Sequence, residues 1–153
     1  MGRSNFILIA VFLIVGVVSH TIDETAQEVI EALAHSTFDD WSPSFISTNK
    51  PLLGQVLPST LFIPMSTTTL YNGGDKRKFA AYHLVPGKID FTDLLSKKDG
   101  SRLPTFLAGS FILISNSSSG LYIEGVQVIE PDVYVDSVIA IHRVASPPLD
   151  FAR

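Results

Sequence analysis

The sequence predicts an α+β domain, with a mixed β core and helices packed to one side. Three observations carry that expectation. One helical periodicity stands near the N-terminus, short β-rich runs fill the second half, and the two kinds of segment do not alternate as they would around a parallel sheet. With 153 residues, 46% of them hydrophobic and 17% charged, the chain is sized for one globular domain.

The first nineteen residues differ in kind from the rest. After Arg3 come thirteen uncharged apolar residues, Phe6 to Val18, followed by small Ser19 and polar His20 to Glu24. A bilayer span needs roughly 20 apolar residues and a signal h-region only about 7 to 15, so residues 1–19 read as a secretory signal peptide. An uncleaved anchor is the alternative. The domain is expected over 20–153, touching a membrane only transiently through the signal segment.

In "IDETAQEVIEALAHS", Ile22, Ala26, Val29, Ile30, Leu33 and Ala34 recur at three- and four-residue spacing. That spacing predicts an amphipathic helix, capped by Thr21 or Asp23. Pro43, Pro51, Gly54 and Pro58 make the following stretch mostly loop. "STLFIP" reads as a short buried strand ended by Pro64, and "YNGGDKRK" as a turn with Lys76 to Lys78 in a solvated loop. "FAAYHLV" reads as a strand that Pro86-Gly87 stops, and "IDFTDLLSKK" as a short helix capped by Asp90 or Thr92. "FILISNSSSGLYIEGVQV" has two β-rich runs around a Ser/Gly turn, the pattern of a hairpin. Phe111 to Ile114 are all apolar, so that strand is expected to be covered on both faces. After a turn at Pro131-Asp132, "SVIAIHRV" supplies a last strand.

Composition narrows the function. Without residues 1–19 the chain carries ten basic against fifteen acidic side chains, a formal charge of −5. It has no basic stripe for phosphates, so no nucleic-acid partner is expected. Cysteine is absent, which removes disulfides, thiolate metal sites and cysteine nucleophiles. His20, His35, His83 and His142 show no metal-ligand spacing, so no metal is expected. There is no G-x-S-x-G elbow and no phosphate loop, Gly73-Gly74 lacking the lysine and helix that one needs. Asp39-Asp40 are sequential and point apart, as a solvated pair. No cofactor and no enzymatic activity are expected.

Asn116-Ser117-Ser118 is an N-x-[ST] acceptor placed in the predicted hairpin turn, so Asn116 is expected to carry a glycan on a secreted chain. Tyr82-His83 lies inside an apolar run. A buried imidazole needs partners for its nitrogens, and neighbouring backbone commonly supplies them, so the pair reads as frame, with direct ligand contact the weaker alternative.

Three segments in order resemble the fasciclin domain family, plant fasciclin-like arabinogalactan proteins among them. "TLFIPMSTTTL", Thr60 to Leu70, is similar to the first homology box. "YHLVPG", Tyr82 to Gly87, is similar to the central Tyr-His motif, and "GVQVIEPDVYVDSVIAIHRVASPPL", Gly125 to Leu149, to the second box. Only Ser66 to Lys78 separate the first box from the Tyr-His motif, so part of the family's helical layer is expected to be missing. Asp136-Ser137 replaces the usual Asn-Gly turn. The box's usual histidine aligns with Ala140, while His142 lies two residues on, on the same strand face. The resemblance implies a secreted, monomeric, non-enzymatic module of cell adhesion, extracellular matrix or cell wall, or apoplast in a plant, whose partner is an extracellular protein or polysaccharide. Tyr82, His83 and His142 are its implied contact or structural positions. The alternative is a secreted carrier of an apolar small molecule, held in a groove lined by Phe62 and Phe79.

Overall fold

A computed structural model of the chain describes residues 26–35, 41, 58–65 and 76–146. Residues 1–19, expected to be a signal peptide, the expected caps Thr21 and Asp23, Asp39-Asp40, the Pro/Gly stretch of 42–57, the glycine pair 73–74 and Pro147-Pro148 lie outside the described residues.

Helix α1 covers 26–34 and buries Ala26, Val29, Ile30, Leu33 and Ala34, the residues whose spacing predicts it. The indole N–H of Trp41 donates to the Leu33 carbonyl at 3.1 Å, tying the chain beyond α1 back onto it. Strand β1, Ser59–Pro64, is buried at all six positions. Helix α2 is Lys76–Tyr82, strand β2 Leu84–Pro86, helix α3 Phe91–Ser96 and strand β3 Arg102–Pro104. Strands β4 Phe111–Ser117, β5 Gly120–Ile123, β6 Val126–Val135 and β7 Ile139–Val144 complete the order.

The seven strands form one sheet in the order β2-β1-β7-β6-β5-β4-β3. β1 and β7 run parallel, Leu61 beside Ile141 and Phe62 beside His142, and every other pair is antiparallel. The sheet is therefore mixed. Its ends curl toward one another, since Phe106, just past β3, donates its N–H to the Leu84 carbonyl of β2 at 2.9 Å. Side-chain alternation along β1 and β7 then feeds two cores. Leu61, Ile63, Ile139 and Ile141 pack with α1, Trp41 and α2 on one face. Phe62 and Val144 pack with Leu103, Ile112, Ile114, Leu121 and Ile123 on the other, where α3 contributes Leu94.

Several predicted segments are corrected. The run 79–85 is not one strand: Phe79 to Tyr82 end α2, His83 is a turn, and only Leu84 and Val85 enter β2. A short apolar run fits a buried helical turn as well as a strand, and Ala80-Ala81 is the best helix-forming pair available. Lys76 to Lys78 sit exposed on the first turn of α2 rather than in a loop. There Arg77 Nε approaches Glu31 at 2.9 Å and its Nη2 donates to Gln27 at 2.7 Å.

β4 is covered on one face only, with Ile112 and Ile114 fully buried but Phe111 49% and Leu113 36% exposed. The run after the Ser/Gly turn is two strands. Ile123 pairs with Val126 across Glu124-Gly125, both at positive φ (45° and 74°), the backbone that a two-residue hairpin turn requires. Pro131-Asp132 is no turn but lies within β6, where the pairing with β7 slips between Glu130 and Tyr134. Asp132 adopts φ 53° there, so the strand bulges and bends, and Pro131, having no N–H to give, fits the irregularity.

The Asp136-Ser137 turn is present. Asp136 Oδ1 accepts from the N–H groups of Val138 (2.8 Å) and Ile139 (2.7 Å), closing the loop into β7.

Gly87 holds φ 91°, a conformation that costs any residue with a Cβ. A Cβ there would meet nothing within 4 Å, so Gly87→Ala isolates backbone strain from clash. The expected loss is about 1–2 kcal/mol in urea unfolding. A neutral substitution would mean the turn relaxes freely.

Candidate functional site

Tyr82, His83 and His142 were the positions singled out by the sequence, and the fold separates the two histidines. His83 leaves α2 with its N–H shared between the carbonyls of Phe79 and Ala80, and its side chain folds back under the helix. There Nδ1–H donates to the Phe79 carbonyl at 2.7 Å. The ring lies among Phe79, Trp41 and Tyr82, with centroids 4.3, 5.8 and 5.9 Å away. It is wholly buried, and Nε2 has no hydrogen-bond partner among the described residues. Burial without a nearby carboxylate lowers the pKa to about 4, the Phe79 carbonyl opposing only in part. His83 is therefore a neutral imidazole at physiological pH.

His142 occupies the other core. It points from β7 to the face of Phe62, the rings stacked at 5.6 Å and 30°. Its Nδ1 accepts from the Asp132 N–H at 3.0 Å, so the proton sits on Nε2, which donates to the Ile89 carbonyl at 2.8 Å. Burial lowers its pKa, against the opposing pull of the Ile89 carbonyl, Asp132 and Asp90. One imidazole thus joins the β6 bulge to the loop entering α3. Asp132 adds a second tie, its Oδ1 accepting from the Phe91 N–H at 2.9 Å. Ala140 shares the strand face of His142 and is equally buried.

Thr60 is a residue that sequence reasoning quoted but gave no role. It is fully buried, donates through Oγ1 to the Gly87 carbonyl at 2.7 Å, and accepts from the Ile89 N–H at 2.8 Å. Gly87 N–H in turn donates to the Pro58 carbonyl at 2.9 Å. The first box, the Tyr-His segment and the second box are therefore one connected unit: Thr60 holds Gly87 and Ile89, Ile89 accepts from His142, and His142 stacks on Phe62. A hydroxyl at the start of a strand that is otherwise apolar after Ser59 was the available signal, because a buried polar group needs partners.

Asn116 lies in β4 itself, half-buried, rather than in the hairpin turn, which Ser118-Ser119 form. Its N–H donates to Asp99 at 2.9 Å and its Nδ2 to the Leu95 carbonyl at 3.2 Å. Phe62 and Phe79 are both packed in the cores, so neither lines an apolar groove of the kind a carrier would use. An open groove of about 300 Å³ lies instead on the outer side of β3 and β4, lined by Tyr82, Arg102, Ser110, Phe111, Leu113 and Glu124. Among the described residues no cluster of three or more His, Asp or Glu could hold a metal ion, and no helix is long and apolar enough to cross a membrane.

A family model for the fasciclin domain matches residues 46–147. Among solved structures, the chain is similar to a FAS1 domain pair from the insect cell adhesion molecule fasciclin I, at 14% identity and a TM-score of 0.43. That likeness covers 87% of this chain and 44% of the other, so the chain spans less than half the length of that structure. No curated protein matches the chain.

Proposed function

The chain belongs to the fasciclin family, and from that premise we propose that it is a secreted, monomeric, non-enzymatic adhesion module of the extracellular matrix or cell wall. Fasciclin domains occur in extracellular and cell-surface adhesion proteins. The family match over 46–147 carries the reading. The uncharged run Phe6 to Val18 supports export. Both motif histidines are buried and bonded to backbone, which supports a framing role for Tyr82-His83 and His142 and leaves recognition to exposed surface. Asn116 is the proposed glycan site. A glycosylated amide keeps one N–H, so the bond to Leu95 is compatible with modification.

The test uses the full chain, tagged after Arg153 and expressed through a secretory route. The recovered protein should begin near His20, carry a glycan on Asn116, and be retained on isolated wall or matrix material. An intact Met1, a bare Asn116 and no retention on any such material would overturn the proposal.

A further inference from the structure

We propose that His142, Asp132 and the Phe91 N–H form an acid-operated latch, which holds the β6 bulge against the start of α3 while the imidazole is neutral and exchanges its partners when the imidazole takes a proton. The strand register makes room for it. Between the pairs Glu130–Arg143 and Tyr134–Ile141, the residues Pro131, Asp132 and Val133 of β6 stand opposite His142 alone. Asp132 takes up that surplus at φ 53°, a left-handed backbone that aspartate tolerates better than most residues. Pro131, Asp132 and Val133 are exposed, whereas the His142 side chain is wholly buried.

Asp132 meets the imidazole twice. Its N–H donates to Nδ1 at 3.0 Å, which requires a lone pair there. Its Oδ1 stands 3.7 Å from the same nitrogen while accepting from the Phe91 N–H at 2.9 Å. Nε2 already carries a proton, donated to the Ile89 carbonyl at 2.8 Å, so a second proton enters at Nδ1. There it faces the Asp132 N–H, donor against donor. Asp132 Oδ1 is the anionic acceptor at hand, and closing from 3.7 Å to a charge-assisted bond of about 2.8 Å draws it toward the ring. The Asp132 N–H then loses its acceptor and the Phe91 N–H gives up its own. Asp132 is exposed and Phe91 half-buried, so water replaces the lost partners. The bond from Nε2 to Ile89 is kept throughout and serves as the pivot.

The surroundings set the sign. Among the described residues two charges act on the ring, Asp132 from β6 and Asp90 from the loop before α3, and both attract an imidazolium. β1 presents the uncharged ring of Phe62, α3 gives Leu94 to this core, and Tyr82 of α2 is the other titratable side chain in it. On β7 itself, Arg143 pairs with Glu130 at 3.4 Å. Burial outweighs the two carboxylates and holds the imidazole below its ordinary 6.5, so the exchange belongs to acid. An imidazole that only braces the fold needs partners for one protonation state. Here one residue supplies both the donor that the neutral ring accepts and the acceptor that the charged ring requires. The surface that changes is Pro131 to Val133 together with the first turn of α3.

Nuclear magnetic resonance of the isotope-labelled full chain, titrated across the histidine range of about pH 7.5 to 4.5, tests the latch. At neutral pH the His142 ring should carry its proton on Nε2. On acidification the Asp132 and Phe91 amides should move with one midpoint, that of the His142 ring nitrogens, and their exchange protection should fall by about tenfold. Asp132→Asn keeps the backbone amide, an acceptor for Phe91 and a side chain that tolerates the left-handed backbone, but it has no charge to offer an imidazolium. Its His142 midpoint should therefore drop by about one pH unit, and its Phe91 amide should stay protected in acid. Amides of Phe79 to His83 report the other buried histidine and separate its titration from this one. The latch is overturned if the neutral ring carries its proton on Nδ1, if the two amides titrate with different midpoints or not at all before global unfolding, or if Asp132→Asn titrates like the parent chain.

Discussion

Acidification from pH 7 to pH 4 is expected to remove on the order of 3 kcal/mol of folding stability through His83 alone. The folded imidazole titrates at about 4 and the unfolded one near 6.5. Between those values the unfolded chain binds a proton that the folded chain refuses. Stability is therefore whole above pH 6.5, falls as the pH drops through the window, and levels off below 4. The cause is local. Phe79, Trp41 and Tyr82 surround the ring, and among the described residues its hydrogen bond runs to a backbone carbonyl and none compensates a positive charge. His142 adds to the loss with the same sign, but Asp132 and Asp90 stand near it and soften the effect. Urea unfolding of the parent chain and of His83→Phe across pH 7 to 4.5 checks this, because the variant keeps a ring in the aromatic site and discards the titrating nitrogen. The parent should lose stability more steeply. Equal slopes would mean that His83 is protonated in the fold without cost, and that the aromatic enclosure is not its environment. At neutral pH, His83→Ala should cost about 1–3 kcal/mol, by removing a partner of the Phe79 carbonyl.

What the sequence made legible follows from where one physical signal acted alone. Ala26, Val29, Ile30, Leu33 and Ala34 face a single core, so their spacing alone placed α1. Of the two caps read for α3, Asp90 or Thr92, it is Asp90 that caps, its Oδ1 accepting from the Asp93 N–H at 2.9 Å. Two competing signals defeated the reading elsewhere. In Phe79 to Val85 an apolar stretch crosses from helix to strand without a polar break, and only the sheet partner, Thr60-Leu61 of β1, fixes where the strand starts. At Pro131-Asp132 the dipeptide reads as a turn, but β7 pairs on either side of it and draws the turn into a bulge. Phe111 to Ile114 looked like a strand covered on both faces because apolarity was taken as burial. Its outer residues form a groove instead, which single residues cannot reveal, since β3 and the Arg102 beside it were not legible as a strand. The outcome for the site is similar. Each motif could be read separately, but the chain of contacts from Thr60 through Gly87, Ile89 and His142 to Phe62 depends on the parallel pairing of β1 with β7, a contact between distant segments.

That pairing makes Phe62 a costly truncation to expect. The side chain is fully buried, stands in strand β1, which is paired on both sides, and belongs to the core that Leu103, Ile112, Ile114 and Val144 complete. Replacing it by alanine removes the transfer energy of an aromatic ring and leaves a cavity, together about 3–5 kcal/mol. Domains are stable by only about 5–15 kcal/mol, so Phe62→Ala should bring the fold close to its limit. The loss should also be coupled to the second box. Phe62 is the register partner of His142 and stacks on it, so the imidazole would lose the surface that sets its ring while keeping its bonds to Asp132 and Ile89. A double-mutant cycle of Phe62→Ala with His142→Ala should therefore give a total smaller than the sum of the single losses, by about 0.5–3 kcal/mol. Phe62→Leu, which refills much of the cavity but offers no ring face, should recover most of the stability and little of the coupling. Additive losses would show that the two boxes are held by the backbone ladder alone, with the stacked pair only neighbours. A Phe62→Ala loss below about 1 kcal/mol would contradict the placement of Phe62 in a packed core.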